Sequence, residues 1–228
     1  MLEVKQVSKS FGSKSALRDF SCTLEPGEIY GLLGANGSGK TTLMKLIANL
    51  ILPDSGQILL DGQEVNYRSR EHIAYMSTEP YFYSYMKIRD VGEYYQDFFQ
   101  DFSMETFREI IDKFELRPEL RAKQLSSGMM AKLKVAVTMA RSADVILLDE
   151  PLNGIDLIAR DQVMELIISH AGKDSTLLLS SHLVEEMERF ISKAIFVKDG
   201  NMVASLDVED LRIKEGLSLA EKYRQLLA

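Results

Sequence analysis

The spacing of apolar and polar residues changes along this chain of 228 residues, and the changes divide it into blocks. Leu2 to Val7 alternates apolar and polar residues, the period-two pattern of a half-exposed strand. A second strand is predicted from about Ala16 to Leu24, ahead of a turn at Glu25-Pro26-Gly27-Glu28. Ile29-Tyr30-Gly31-Leu32-Leu33 is a short continuous apolar run, as expected of a buried strand. Leu43, Leu46, Ile47 and Leu50 then recur at helical spacing. After the turn Pro53-Asp54-Ser55-Gly56, Gln57 to Leu60 reads as a strand, and Asp61-Gly62 signals a hairpin. These early strands are predicted to pair locally and antiparallel, and His72 to Met76 reads as a further strand.

The pattern then lengthens. Lys87 to Phe114 predicts two helices, the second capped by Ser103 with Thr106 three positions on. Ser126 to Arg141 predicts another, with Met130, Leu133, Val137 and Ala140 along one face. Val145 to Leu148 is an apolar strand, and Asp156 opens a helix containing Val163, Leu166 and Ile167. Thr176 to Ser180 and Ala194 to Val197 are strands, and Asp207 to Ala228 is expected to be a polar helical tail. Strands alternating with helices predict an α/β fold with a mostly parallel, helix-covered sheet. No internal repeat, low-complexity tract or linker interrupts the chain.

Composition narrows the function classes. The formal net charge of −7 is the wrong overall sign for a nucleic-acid partner, and none is expected. A single cysteine, Cys22, allows no internal disulfide. No run approaches the roughly eighteen apolar residues of a membrane span, and Met1-Leu2-Glu3-Val4-Lys5 lacks a signal-peptide core. Work at a membrane would require a partner that spans it.

The candidate chemistry begins at Gly34-Ala35-Asn36-Gly37-Ser38-Gly39-Lys40-Thr41, which fits G-x-x-x-x-G-K-[ST] without mismatch. Glycines let successive backbone N–H groups turn inward toward phosphate oxygens. In that motif Lys40 reaches the β- and γ-phosphates of a nucleotide and Thr41 offers a hydroxyl to Mg²⁺, with Thr42 following in the helix. A strand before the loop and a helix after it are the context that the motif needs.

Val145-Ile146-Leu147-Leu148-Asp149-Glu150 ends an apolar strand in two carboxylates, at the sheet edge where α/β ligands bind. Asp149 is placed to hold the Mg²⁺ hydration shell and Glu150 to polarise an attacking water. His182 follows another strand and can hydrogen-bond a γ-phosphate, whereas His72 and His170 read as structural. Leu125-Ser126-Ser127-Gly128-Met129 opens a helix whose free N–H groups, with Ser126 as the cap, form a second anion site.

Together these pieces resemble the ATP-binding subunit of an ABC transporter from Leu2 to about Ser205. The ordered series carries the resemblance: the phosphate loop, the signature at Leu125, Asp149-Glu150, the loop Pro151-Leu152-Asn153-Gly154-Ile155-Asp156, and His182. It implies a P-loop NTPase (RecA-like) core with a mostly parallel sheet, an N-terminal antiparallel β subdomain and a helical signature subdomain. The single domain would divide into residues 1–33 and 53–76 (antiparallel β plus core strands), 80–142 (helical), 34–52 and 143–205 (nucleotide core) and a tail at 206–228. Phe11 stands where the family stacks an aromatic on adenine. The resemblance also implies a homodimer or heterodimer of such subunits, each ATP lying between the loop of one and Ser126-Ser127-Gly128 of the other.

Two departures matter. The signature L-S-S-G-M differs from the common L-S-G-G-Q and resembles a bacterial exporter branch with separate membrane subunits. Thr78 stands where the family places a glutamine, which makes it a candidate Mg²⁺ or water ligand of shorter reach, with Glu79 beside it. The segment from Thr78 to Phe102 holds nine of the nineteen tyrosines and phenylalanines. In the family this region receives the membrane permease. Phe98, Phe99 and Phe102 are expected in the core, and Tyr81, Tyr83 and Tyr85 at the interface. The implied function is an ATPase energising transport, more in keeping with export, from the cytoplasmic face of the membrane. A weakly hydrolysing regulatory subunit and a soluble ABC ATPase remain alternatives.

Overall fold

In the computed structural model, residues 1–79 and 81–227 are described. Pro80, within the segment expected to follow Thr78, and Ala228, the end of the expected tail, lie outside the described residues. The N-terminal alternation forms β1 (Leu2–Phe11) and β2 (Lys14–Leu24), and the apolar run forms β3 (Ile29–Leu33). Helix α1 (Lys40–Ile47) follows the glycine loop, then come β4 (Ser55–Leu60), β5 (Gln63–Glu64) and β6 (Ile73–Met76). Helices α2 (Ile88–Phe98), α3 (Met104–Lys113) and α4 (Ser127–Met139) come next. The remainder is β7 (Val145–Asp149), α5 (Leu157–His170), β8 (Thr176–Ser181), α6 (Val184–Met187), β9 (Lys193–Lys198) and β10 (Asn201–Asp207). Short α7 (Val208–Asp210) and α8 (Leu219–Leu227) end the chain.

The strands form two sheets. The antiparallel sheet has the order β2-β1-β4-β5, and the other has the order β10-β9-β3-β8-β7-β6. Within the second, β6, β7, β8, β3 and β9 run parallel, and β10 adds antiparallel to β9. Asp61 and Gly62 both have positive φ, 51° and 78°, and close the β4–β5 hairpin as expected.

Two cores follow from strand alternation. Leu147, Leu178 and Ile195 point toward α1 and the antiparallel sheet, with Leu43, Met44, Leu46 and Ile47 between. Ile146, Leu148, Leu177 and Leu179 point the other way, onto α4, α5 and the helical region. Because β3, β7 and β8 are buried on both faces, their carboxyl ends are held rigidly at one edge, where the candidate groups sit.

Four expectations are corrected. Helix α1 ends at Ile47, and Leu50 lies beyond it, half exposed, because Asn49 adopts positive φ and breaks the helix. Phe98 is 67% exposed rather than buried. It comes one position before Phe99 and lies to the side of the face on which Ile88, Tyr95 and Phe99 pack. Residues 201–207 pair as β10, a strand not anticipated. The tail is therefore not continuously helical. Asp207 ends a strand and caps α7, a π-turn spans Leu211–Glu215, and Gly216 at φ 66° separates it from α8. Nor is the tail simply polar, since Val208, Leu211 and Leu219 are buried in the main core. Phe102 is buried and Phe99 partly buried, as expected of them.

Candidate functional site

The loop from Gly34 to Gly39 leaves β3 and turns back into α1. Two glycines have no substitute there. A Cβ on Gly34 would lie 2.3 Å from the Val197 carbonyl oxygen, and one on Gly39 would lie 2.6 Å from that of Ala16. Gly39 also has φ 115°, outside the range of other residues. No side chain caps α1, so its first N–H groups remain available to an anion. The Lys40 side chain folds back over the loop, and its Nζ donates to the carbonyls of Gly34 (2.7 Å) and Ala35 (3.2 Å).

The carboxylates arrive from β7. Asp149 is fully buried. Its Oδ1 accepts from Ser180 Oγ at 2.6 Å, and its Oδ2 has no hydrogen-bond partner. A buried orphan carboxylate oxygen on a residue that lines a cavity with Thr78 is a fit for a hard, oxygen-seeking cation such as Mg²⁺. Glu150 leaves the strand at φ 50°, held by a 2.9 Å bond from its N–H to Ser180 Oγ. That turn aims its carboxylate at the loop. Oε1 lies 3.6 Å from Lys40 Nζ, and Oε2 lies 2.9 Å from His182 Nδ1. An ionised carboxylate only accepts, so in this contact His182 Nδ1 carries a proton and donates it to Glu150.

Lys40, Glu150 and His182 line one cavity of about 350 Å³ together with Phe11, Asn36, Gly37, Thr41, Thr42 and Thr78, and Asp149 is not among its lining residues. Phe11 is 53% exposed at its rim, with Lys9 Nζ 5.7 Å from its ring centre. A second cavity of about 210 Å³ adjoins it through Thr78, Glu150 and Asn153, and reaches Ser127, Lys134 and Asp149. Ser126 caps α4 by accepting from Met129 N–H at 3.2 Å. Ser126 and Gly128 do not line the nucleotide-sized cavity, and Ser126 and Ser127 face solvent. Gly128 packs against the loop after β7: a Cβ there would lie 2.9 Å from the Gly154 carbonyl oxygen.

A family model described as ABC transporter matches residues 17–153. This chain belongs to the ABC transporter family. More specifically, it is an ATP-binding subunit of that ATPase family. It is 34% identical over 215 residues, 93% of the chain and 74% of the relative, to the ABC transporter ATP-binding protein YtrB of Bacillus subtilis. It is 30% identical to the lantibiotic transport ATP-binding protein SrtF of Streptococcus pyogenes, covering 89% of each. A solved structure of an ATP-binding subunit of an ABC transporter superposes with a TM-score of 0.87 at 25% identity, covering 99% of both chains.

Three site residues escaped the sequence reading. Ser180 organises both carboxylates, but a serine within an apolar strand carries no distinguishing signal until β7 and β8 are paired. Asn153 lines both cavities. Lys134, at 6% exposure, donates to the carbonyls of Ser77 (2.9 Å) and Thr78 (2.7 Å). Burial holds its ammonium below the usual lysine range, and the nearby Asp149 and Glu79 charges oppose that. A lysine among apolar helix residues is the one signal that would have singled it out.

Proposed function

We propose that this ABC subunit binds Mg²⁺-ATP in the Phe11–Thr42 cavity and hydrolyses it to drive closing and opening of a dimer that powers transport. The observation that carries this is the convergence of Lys40, Glu150 and His182 on one cavity that the phosphate loop also lines. Bound nucleotide would draw Lys40 Nζ off the Gly34 and Ala35 carbonyls onto the β- and γ-phosphates. Gly34 to Gly39 and the α1 N-terminus would hold the phosphates through backbone N–H groups. Thr41 and Asp149 would hold magnesium, with Thr78 at the cavity edge as a further oxygen. The metal, when bound, neutralises charge on the phosphates. Glu150 would orient a water in line with the γ-phosphorus and take its proton as the new P–O bond forms and ADP departs. His182, oriented by Glu150, would donate to the γ-phosphate.

A second copy would complete the site. Ser126-Ser127-Gly128 points outward at a capped helix start while the nucleotide cavity lacks that wall, which supports a head-to-tail dimer, of like or unlike subunits. The exposed aromatics Tyr83 and Tyr85, stacked with ring centres 5.6 Å apart, and Tyr81 support the reading that the Thr78–Phe102 region receives a membrane permease. No helix among the described residues is long and apolar enough to cross a membrane, so the spanning element would be that partner, with this subunit peripheral on the cytoplasmic face. The L-S-S-G-M signature and the lantibiotic-transport relative favour export.

The test is phosphate release by the purified chain in Mg²⁺-ATP over a range of protein concentration. A site shared between two copies gives a rate that rises with the square of protein concentration at the low end. A rate strictly proportional to concentration would remove the shared site. Phe11→Ala should raise the ATP concentration needed for half-maximal rate several-fold, with little loss of maximal rate. Unchanged nucleotide affinity in that variant would rule out base stacking on Phe11.

A further inference from the structure

The helix that begins with Ser127 carries a buried lysine about two turns further on. Lys134 stands in the run Leu133-Lys134-Val135-Ala136-Val137, whose apolar members are fully buried. A lysine is kept at such depth only when its ammonium is well hydrogen-bonded, since an unsatisfied buried cation is very costly. Here the bonds go to main chain: the Nζ donates to the Ser77 and Thr78 carbonyls. The same side chain lines the cavity that contains Ser127, Thr78, Asp149 and Glu150. Two further ties hold residues 77–79. Glu79 N–H donates to Ser77 Oγ at 3.2 Å, and exposed Glu79 pairs with Lys45 at 3.7 Å.

We propose that Lys134 is a positioning residue whose ammonium binds the 77–79 loop to α4, so that the loop at the nucleotide cavity and the Ser126–Gly128 helix start move as one unit. The inference rests on the ATPase reading and extends it to how the two halves of the subunit communicate. The anchor grips carbonyl oxygens, so it does not depend on which side chain stands at position 78. A chain with threonine there keeps the connection through the backbone. Movement of Thr78, whether pulled by nucleotide or pushed from the aromatic surface beyond it, would be carried along α4 to Ser126–Gly128 and so to the facing subunit.

Lys134→Met tests this in the full chain. Methionine keeps most of the stem and removes every donor. The Ser77 and Thr78 carbonyls lose this donor but lie beside a cavity that water can enter, so the variant should fold. Hydrogen exchange with and without Mg²⁺-ATP is followed in segments 34–42, 77–85 and 126–133, alongside kcat, KM and the thermal midpoint. In the parent, nucleotide should slow exchange in all three. In the variant, protection should persist at 34–42 and vanish at 77–85 and 126–133. The kcat should fall about ten- to a hundredfold through misplacement of the reacting groups, with KM little changed. Parental protection in all three segments together with parental kcat would overturn the proposal. So would loss of protection everywhere with a lowered thermal midpoint, which marks a purely structural lysine. A parent showing no protection at 34–42 would overturn the nucleotide reading and this inference with it, an outcome distinct from the other two.

Discussion

Glu150→Gln should lower ATP turnover by about 10²- to 10⁴-fold while leaving ATP binding intact, the range expected for loss of a general base. The carboxamide matches the carboxylate in size and can still accept from His182 Nδ1, so the 2.9 Å contact survives. What it cannot do is take a proton from water. Glu150 is also held in a left-handed backbone conformation by the Ser180 hydroxyl, which fixes the direction its side chain takes toward Lys40 and His182. Since nucleotide would bind without being consumed, the variant should accumulate as a dimer in Mg²⁺-ATP. Phosphate release and gel filtration measure the two effects. Turnover near the parental rate would remove Glu150 from the chemistry.

Arg141→Ala should destabilise the fold by about 3–5 kcal/mol, the usual cost of breaking a buried ion pair from one side. The guanidinium sits just past α4, is 7% exposed and uses all three of its nitrogens. Nε donates to both Asp101 oxygens at 3.1 Å, one terminal nitrogen donates to the Ile73 carbonyl, and the other donates to those of Arg70 and Glu71. Its charged carbon also lies 4.0 Å from the centre of the Phe99 ring. Alanine would leave three carbonyls and a carboxylate without that donor and open a gap beside Phe99. A chain of this length should then melt about 10 °C lower. Asp101→Asn should cost less, because Asp101 is partly exposed and the carbonyl bonds remain. A midpoint within about 2 °C of the parent would show that Arg141 does not join the helical region to β6.

Much of the site was legible because its chemistry is written in contiguous segments. The phosphate loop must be a strand, glycines and a helix start in succession, and Gly34 to Lys40 display that order. Asp149 and Glu150 end a strand that announces itself by four apolar residues. The N-caps at Ser103, Ser126 and Asp156 were readable for the same reason, each accepting from a backbone N–H three residues on. Phe98 was misjudged because, among adjacent aromatics, one position of rotation decides between core and solvent. Residues 201–207 were missed because Asn201, Ser205 and Asp207 dilute the apolar pattern. They form a strand only because β9 offers them an edge.

The sequence by itself determined the α/β class, the nucleotide loop, the two carboxylates and the capped signature helix, since each depends on interactions among near neighbours in the chain. Only the tertiary structure decided which distant groups meet. It placed Ser180 between Asp149 and Glu150, turned His182 onto Glu150, closed Lys134 on the Ser77 and Thr78 carbonyls, and left Ser126–Gly128 outside the cavity. The physical reason is that strand order and helix packing set these distances. A spacing in sequence carries no information about which strand edge its residue will find.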